Sequence, residues 1–323
     1  MSWLVTGGAG YIGAHVARAL HERGLEVVVL DDLSSGHREF VDPQTPYVHG
    51  SVVDPAAVRD VLDGHGCTGV VHLAGFKYAG VSVERPLHTY EQNVTGMQVL
   101  LGAMVELGVG QLVFSSSAAV YGTPQVETVT EATSCRPESP YGESKLVSEW
   151  LIADVARVAA LRHTSLRYFN VVGSGWPDLY DTSPHNLFPL VLKALTEGRT
   201  PVVRGTDYPT PDGSCVRDYV HVCDVADAHV EAALALDAGR QLQPAYNLGT
   251  GTGVSVLEIM SAMARVTGVG FAPQVAARRP GDPARIVASG ELAARDLDWA
   301  GRRSLEDCVR SAWQSWRAAQ PAA

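Results

Sequence analysis

Cysteine is scarce and poorly spaced for cysteine chemistry. The 323 residues hold five, at 67, 135, 215, 223 and 308, with no Cys-x-x-Cys pair and no metal-ligand spacing. An odd number of isolated cysteines excludes a complete disulfide framework. It fits reduced thiols used as buried filler in a cytoplasmic protein. Long apolar runs are missing too: no stretch of 18 apolar residues occurs, so nothing reads as a membrane span. The chain opens on an apolar strand with no basic n-region or h-region, which speaks against export. Positive charge is in deficit, with a formal net charge of −10. That balance disfavours nucleic acid and anionic membranes as general partners, and an anionic ligand would need a local basic pocket. Repeats are absent, and the only biased stretch is a short Ala/Pro tail at 318–323. What is present is an ordinary globular composition, 46% hydrophobic and 19% charged, in a chain long enough for one large or two medium domains.

The apolar pattern alternates between strand and helix periods. Residues 2–6 read as a short buried strand, 7–13 as a turn, and 12–23 as an amphipathic helix stopped by Gly24. A second strand over 26–30 closes on Asp31-Asp32, and Asp54-Pro55 is a helix start with Asp as N-cap and Pro at N1. Strands over 69–73, 111–115 and 164–168 then alternate with helical patterns over 86–107 and 141–160. This alternation predicts an α/β fold with a doubly wound parallel sheet of the Rossmann type. From 171 to 217 the pattern breaks into Gly/Pro-rich loops around one helix, 187–197, and a helix over 225–236 returns to the sheet. Later helices are expected over 255–267 and 305–317. The expected division is a nucleotide-binding domain over 1–170, joined by 218–238, and a smaller discontinuous α/β domain over 171–217 and 239–318. Irregular insertions of that kind carry ligand specificity.

Two segments point to chemistry. Gly7-x-x-Gly10-x-x-Gly13 lies between a strand and a helix, where glycines let the backbone approach a pyrophosphate seated on the helix N-terminus. Asp31 follows about 20 residues after the glycines. A carboxylate there accepts hydrogen bonds from a ribose diol and repels a 2′-phosphate, favouring NAD over NADP; the pair Asp31-Asp32 would equally suit helix capping. Lys77 follows the strand ending in Leu73-Ala74-Gly75, at the ligand crevice of such a sheet, or else is simply exposed. Asn93 is a poor helix former inside a helical pattern. The second segment is Tyr141-Gly-Glu-Ser-Lys145. Tyr and Lys four apart share a helix face, so the ammonium is expected to lower the phenol's pKa. A hydroxyl from Ser115-Ser116-Ser117 completes a proton relay to a substrate alcohol. The set implies hydride and proton movement at a carbinol carbon.

Together these segments resemble the extended short-chain dehydrogenase/reductase superfamily. Further runs are similar to those of the UDP-glucose 4-epimerase family: Leu166-Arg-Tyr-Phe-Asn170, Gly205-Thr-Asp-Tyr-Pro-Thr-Pro-Asp-Gly213, Val216-Arg-Asp-Tyr-Val-His-Val222 and Tyr246-Asn-Leu-Gly249. The similarity covers nearly the whole chain. It implies NAD as cofactor, held by Gly7, Gly10, Tyr11, Ile12, Gly13, Asp31, Asp32, Ser51, Val52, Leu73, Ala74, Gly75, Lys77, Asn93, Ser115, Tyr141, Lys145 and Tyr168. It implies a UDP-hexose substrate, with Ser117 and Tyr141 at the 4-hydroxyl and Lys145 on the nicotinamide ribose. Asn170, Asn186, Leu187, Val202 and Arg204 would line the substrate's nucleotide, Arg217 and Arg279 its diphosphate, and Asp282 the uridine ribose. Surface salt bridges are the alternative for the two arginines. A homodimer through the helices at 86–107 and 141–160 is implied as well.

The implied reaction removes the O4 proton to Tyr141 and the C4 hydride to NAD, turns the 4-keto sugar over, and returns both to the other face. Related dehydratases need acids just after the hydroxyl residue, where this chain has Ala118 and Ala119. Some positions depart from the family pattern: Gly50-Ser51 replaces an expected Gly-Asp, and Arg204 stands where an aromatic is usual. Ile286 occupies a position linked to hexose pocket size, and Val172-Gly173-Ser174 is an unusual run. The alternatives are a 4-epimerase for UDP-glucuronate or a UDP-N-acetylhexosamine, and a non-catalytic NAD-sensing or scaffold protein.

Overall fold

The computed structural model describes residues 1–279 and 282–320; the end of the Ala/Pro tail, 321–323, lies outside them. The strands, in chain order, are β1 (Ser2–Thr6), β2 (Glu26–Asp31), β3 (Tyr47–His49), β4 (Cys67–His72), β5 (Gln111–Ser117), β6 (Arg162–Tyr168), β7 (Asn170–Val172), β8 (Val202–Arg204), β9 (Val216–His221), β10 (Ala245–Leu248), β11 (Gly253–Ser255), β12 (Gln274–Ala276) and β13 (Arg285–Ile286). Seven of them form one sheet in the order β10-β6-β5-β4-β1-β2-β3, every pair parallel. The strand order reverses between β1 and β4. That is where an open α/β sheet leaves a crevice at its carboxyl edge.

The helices are α1 (Tyr11–Glu22), α2 (Pro55–Gly64), α3 (Ala79–Glu84), α4 (Pro86–Tyr90), α5 (Gly96–Leu107), α6 (Pro140–Val158), α7 (Leu187–Thr196), α8 (Val222–Asp237), α9 (Val256–Thr267), α10 (Glu291–Leu297) and α11 (Leu305–Ala318). Alternate residues of each buried strand feed two cores. Trp3, Val5, Val27, Val29, Val71 and Val113 pack with α1 and α8. Leu4, Val28, Leu30, Val70, Leu112 and Phe114 pack with α2, α5 and α6. Each fully buried side chain of this size contributes about 1.5–3 kcal/mol. Asp54 caps α2 as its sequence predicts, accepting from Ala56 N at 3.0 Å.

Two expectations need correction. The helical pattern over 86–107 is interrupted: residues Glu91–Thr95 form one π-helical turn between α4 and α5. Its middle residue, Asn93, is buried and hydrogen-bonded outside the helix. The second correction concerns residues 239–318, which do not all lie outside the main sheet. Ala245–Leu248 is its edge strand, in register with Ser165–Tyr168 of β6, and Ala293, Leu297 and Trp299 enter the core beside α8. A short strand whose Tyr246 and Leu248 are fully buried extends a parallel sheet at low cost once α8 supplies the crossover. Beyond the sheet, β9 pairs antiparallel with β11 and in parallel with β13 and β7, and β8 pairs with β12. A third core, with Phe188, Tyr219, Ile259, Met263 and Val309, unites these elements with α7, α9 and α11. Among the described residues no helix is long and apolar enough to cross a membrane.

Candidate active site

A cavity of about 980 Å³ runs from the carboxyl edge of β1 and β4 to β8 and β9, ample for a dinucleotide or a nucleotide sugar. At its first end the turn after β1 is shaped by glycine. Gly7 has φ +71°, and a Cβ on Gly13 would lie 2.1 Å from the Gly7 carbonyl. A Cβ on Gly10 would meet only that carbonyl, at 3.2 Å, so its other side opens to the cavity. The N-cap of α1 is Gly10, with no side-chain cap and no acid in the first turn. Free amides and the helix dipole therefore point at the cavity, a cradle suited to a pyrophosphate. Asp31 is buried and does not cap a helix: its carboxylate accepts from Ala9 N at 3.0 Å and Leu33 N at 2.8 Å. Burial raises its pKa, while the two amides and Lys77 pull it back. Dinucleotide ribose and pyrophosphate fit this end.

Tyr11 ties the loop to the other half, donating to Gly173 O at 2.6 Å. His15, on the next turn, accepts from Gly175 N at 3.0 Å. Ile12, Asp32, Val52, Leu73, Ala74, Gly75 and Lys77 also line this end. Ser51, Asn93 and Ser115 do not. Asn93 holds the neighbouring loop instead, accepting from Phe76 N at 2.7 Å and donating to Ser144 Oγ at 2.8 Å.

The middle of the cavity gathers Ser117, Tyr141, Lys145 and Tyr168. Ser139 caps α6 through Gly142 N at 3.2 Å, so α6 starts just ahead of Tyr141. Gly142 allows the close approach: a Cβ there would lie 2.5 Å from Ala119 O. Ser117 ends β5 opposite Tyr168 of β6, and it lines the cavity together with Tyr141. Lys145 lies close to the Tyr141 ring, as their spacing predicts. Burial raises the Tyr141 pKa, and Ser117 is the group that lowers it. Lys145 Nζ donates to Ser115 O at 2.9 Å and sits 5.9 Å from the Tyr141 ring centroid. Burial lowers its own pKa to about 8, against the pull of Glu149. A buried ammonium that close to the ring favours the phenolate by Coulomb attraction.

The far end is built by side chains. Arg217, in β9, donates to Val216 O at 2.9 Å, and one of its terminal nitrogens lies 3.6 Å from Asp282. Arg279, Arg204, Val202, Asn170, Asn186 and Leu187 line the same space. Asn186 caps α7 by position only, its amide donating to Asp181 Oδ2 at 2.8 Å. Cations outnumber acids along the cavity: Lys77, Arg85, Lys145, Arg199, Arg204, Arg217 and Arg279 against Asp31, Asp32, Asp181 and Asp282. Lysine occurs only at 77, 145 and 193, so two of these rare residues are at the cavity. Here is the basic pocket that an anionic ligand needs in a chain of net charge −10.

Several lining residues were not anticipated: Phe169, Tyr78, Phe188, Tyr219 and Asp181. Phe169 and Tyr219 sit inside quoted motifs and carried no polar signal. Asp181 lies in the irregular stretch, where no periodicity marks a residue; burial raises its pKa, with Lys77 and Asn186 opposing. Ile286 is paired with Arg217 in β13 and packs beside Phe169 and Tyr121, behind the cavity wall. Among the described residues no cluster of His, Cys, Asp and Glu could hold a metal ion.

Comparison with known proteins agrees with this geometry. The model of the NAD dependent epimerase/dehydratase family matches residues 3–249. A UDP-glucose 4-epimerase of Corynebacterium glutamicum is 42% identical, over 97% of this chain and 95% of the relative. A crystal structure of UDP-glucose 4-epimerase from Brucella ovis in complex with NAD superposes with a TM-score of 0.92 at 38% identity, covering 97% of each chain. The Bifidobacterium longum enzyme in complex with NAD⁺ and UDP gives 0.91 at 34%, covering 99% of each. On these matches, spanning nearly its full length, the chain belongs to the NAD dependent epimerase/dehydratase family.

Proposed function

We propose that this protein is an NAD-dependent UDP-glucose 4-epimerase, interconverting UDP-galactose and UDP-glucose through a transient 4-keto sugar. The observation that carries the reading is one cavity that joins a glycine cradle, a Ser117–Tyr141–Lys145 centre and an Arg217–Arg279 end. Full-length relatives named for this activity support it. Bound at the glycine end, NAD supplies a hydride acceptor that later gives the hydride back.

Tyr141 is the general base toward the sugar's 4-hydroxyl, and Ser117 hydrogen-bonds the same oxygen and steadies the phenolate. Lys145 supplies positive charge beside the cofactor's ribose while anchored on Ser115 O. Arg217 and Arg279 hold the diphosphate, which suits planar guanidinium donors, and Asp282 accepts from the uridine ribose. With the nucleotide held at that end, the hexose has few polar anchors and turns over between two poses. The absence of a second acid favours epimerisation over water loss. Ala118 and Ala119 follow Ser117, where related dehydratases need acids. The acids of the cavity act elsewhere: Asp181 acts on Tyr11, Lys77 and Tyr78.

A cytoplasmic homodimer belongs to the same reading. Val105, Trp150 and Val158 stand exposed on α5 and α6, the helices expected to pair. The decisive assay incubates the protein with UDP-galactose and no added cofactor, alongside Tyr141→Phe. Wild type should form UDP-glucose, and the variant should lose about 10²–10⁴-fold in kcat. Unchanged turnover by Tyr141→Phe would reject the assignment, and UDP-glucuronate turnover without UDP-galactose turnover would redirect it to another UDP-sugar.

A further inference from the structure

Behind the reacting centre lies a buried ion pair. Arg167 of β6 and Glu149 of α6 have side chains only 8% and 10% exposed, and neither is among the residues that line the cavity. Arg167 grips the carboxylate with two nitrogens, Nε at 2.9 Å from Oε1 and Nη2 on Oε2. A buried pair of this kind is a poor source of stability, because desolvating two charges offsets most of their attraction. Its other contacts show where it acts. Ser116 Oγ donates to Glu149 Oε1. Arg167 Nη1 donates to the Tyr121 hydroxyl at 2.8 Å, which in turn donates to Asn247 Oδ1 of β10 at 2.8 Å. Ser116 precedes Ser117 in β5, and Tyr121 ends the short turn of helix, Ala118–Tyr121, that follows it. One guanidinium therefore reaches both flanks of the cavity serine, directly or through Glu149.

The same pair reaches the helix. Tyr141, Lys145 and Glu149 stand at i, i+4 and i+8 of α6, on one side of it, and each meets the end of β5. Lys145 Nζ donates to Ser115 O at 2.9 Å, Glu149 accepts from Ser116, and Tyr141 joins Ser117 at the cavity. We propose that Glu149 and Arg167 form a positioning pair for the reaction: it clamps α6 to β5 behind Ser117, so that hydroxyl, phenol and ammonium keep their places while the sugar turns over. The charges around Lys145 agree with this geometry. Lys145 is faced by Tyr141 and Glu149 of its own helix, by the Phe114 ring of β5 at 4.9 Å, and by His72 of β4, which burial holds down at about 3 and so keeps neutral. Glu149 is faced by Arg167 from β6, Ser116 from β5 and the Cys135 thiol. Burial pulls Lys145 down to about 8, and Glu149 is the acid that opposes it. The carboxylate thus keeps protonated the ammonium that it also helps to seat.

The inference rests on the epimerase reading, and the wild-type assay with UDP-galactose tests that reading separately. Glu149→Gln should lower kcat about ten-fold with KM for UDP-galactose nearly unchanged. It should also move the alkaline limb of kcat down by about one pH unit. The sign follows from Lys145: without the carboxylate its pKa falls, so the ammonium is lost at lower pH. Glu149→Gln leaves Arg167 buried with a weaker partner, so Glu149→Met/Arg167→Met is measured beside it. Replacing a buried pair by apolar side chains of similar volume is often neutral or stabilising. Tm and NAD content are followed throughout. The double variant should keep both at wild-type values yet remain about ten-fold slow, because β5 has lost its clamp. Wild-type kcat in the folded double variant would overturn the proposal. So would an unmoved alkaline limb in Glu149→Gln, or loss of the folded state in both variants, which would mark the pair as structural.

Discussion

The two ends of the cavity are built on different principles. The end under β1 and β4 is backbone: Gly7, Gly10 and Gly13 follow one another in a single turn at the uncapped start of α1. The far end is side chain, with Arg217, Arg279 and Asp282 brought from separate segments by β9 and the loop after β12. A backbone cradle has no part that is removable without moving the chain, whereas side chains around a ligand are separable. The first end should fail as a unit, and the second by degrees.

The largest effect is expected from Gly13→Ala. Its Cβ would sit 2.1 Å from Gly7 O, forcing the turn apart. The purified variant should lack NAD and lose at least about 100-fold in turnover, an effect of the size that overpacking produces in a closed turn. Full NAD content measured on the purified variant would erase the distinction between the two ends. Arg217→Gln should act more mildly. It removes a charged partner worth roughly 1.5–3 kcal/mol, hence about 10–100-fold in KM for the UDP-sugar with kcat changed little. A loss in kcat alone, at unchanged KM, would mean that Arg217 serves the reacting sugar instead.

The smallest effect concerns pH and comes from buried histidines on both sides of the cavity. His15, His72, His221 and His229 are pushed down by burial to about 4, 3, 3 and 4. The unfolded chain binds these protons near pH 6.5, and the folded chain only near 4 or below. Between those values the unfolded state carries more protons, so stability present above pH 6.5 is lost as pH falls. Each such histidine should cost about 2 kcal/mol at pH 5 relative to pH 7.5. Urea unfolding at the two pH values checks this, and His15→Gln should flatten the dependence. An unchanged slope in that variant would mean that His15 does not carry its share.

How legible these features are follows from how local they are. Tyr141 and Lys145 share a helix face at i, i+4, and Gly7–Gly10–Gly13 span one turn, so spacing alone pairs them. Helical spacing brings Lys145 near Tyr141, but the ammonium's hydrogen bond to Ser115 O is a tertiary contact that no spacing reveals. Asp31 could be read as a ribose ligand or a cap, and only its contacts with Ala9 and Leu33 exclude the cap. Arg217 and Arg279 lie 62 residues apart in sequence, and family resemblance alone linked them. Ala245–Leu248 was missed as a sheet strand because four residues carry too little periodicity, and partnership with β6 defines it.

What the sequence determined by itself was the alternating core, the glycine turn and the Tyr–Lys helix face, because each depends on residues within a few positions of one another. Tertiary structure decided the rest. It chose which of three adjacent serines meets which partner: Ser115 turns to His229, Ser116 to Glu149 and Ser117 to the cavity. A strand sends neighbouring side chains to opposite faces, but only the elements packed on those faces give each hydroxyl its task.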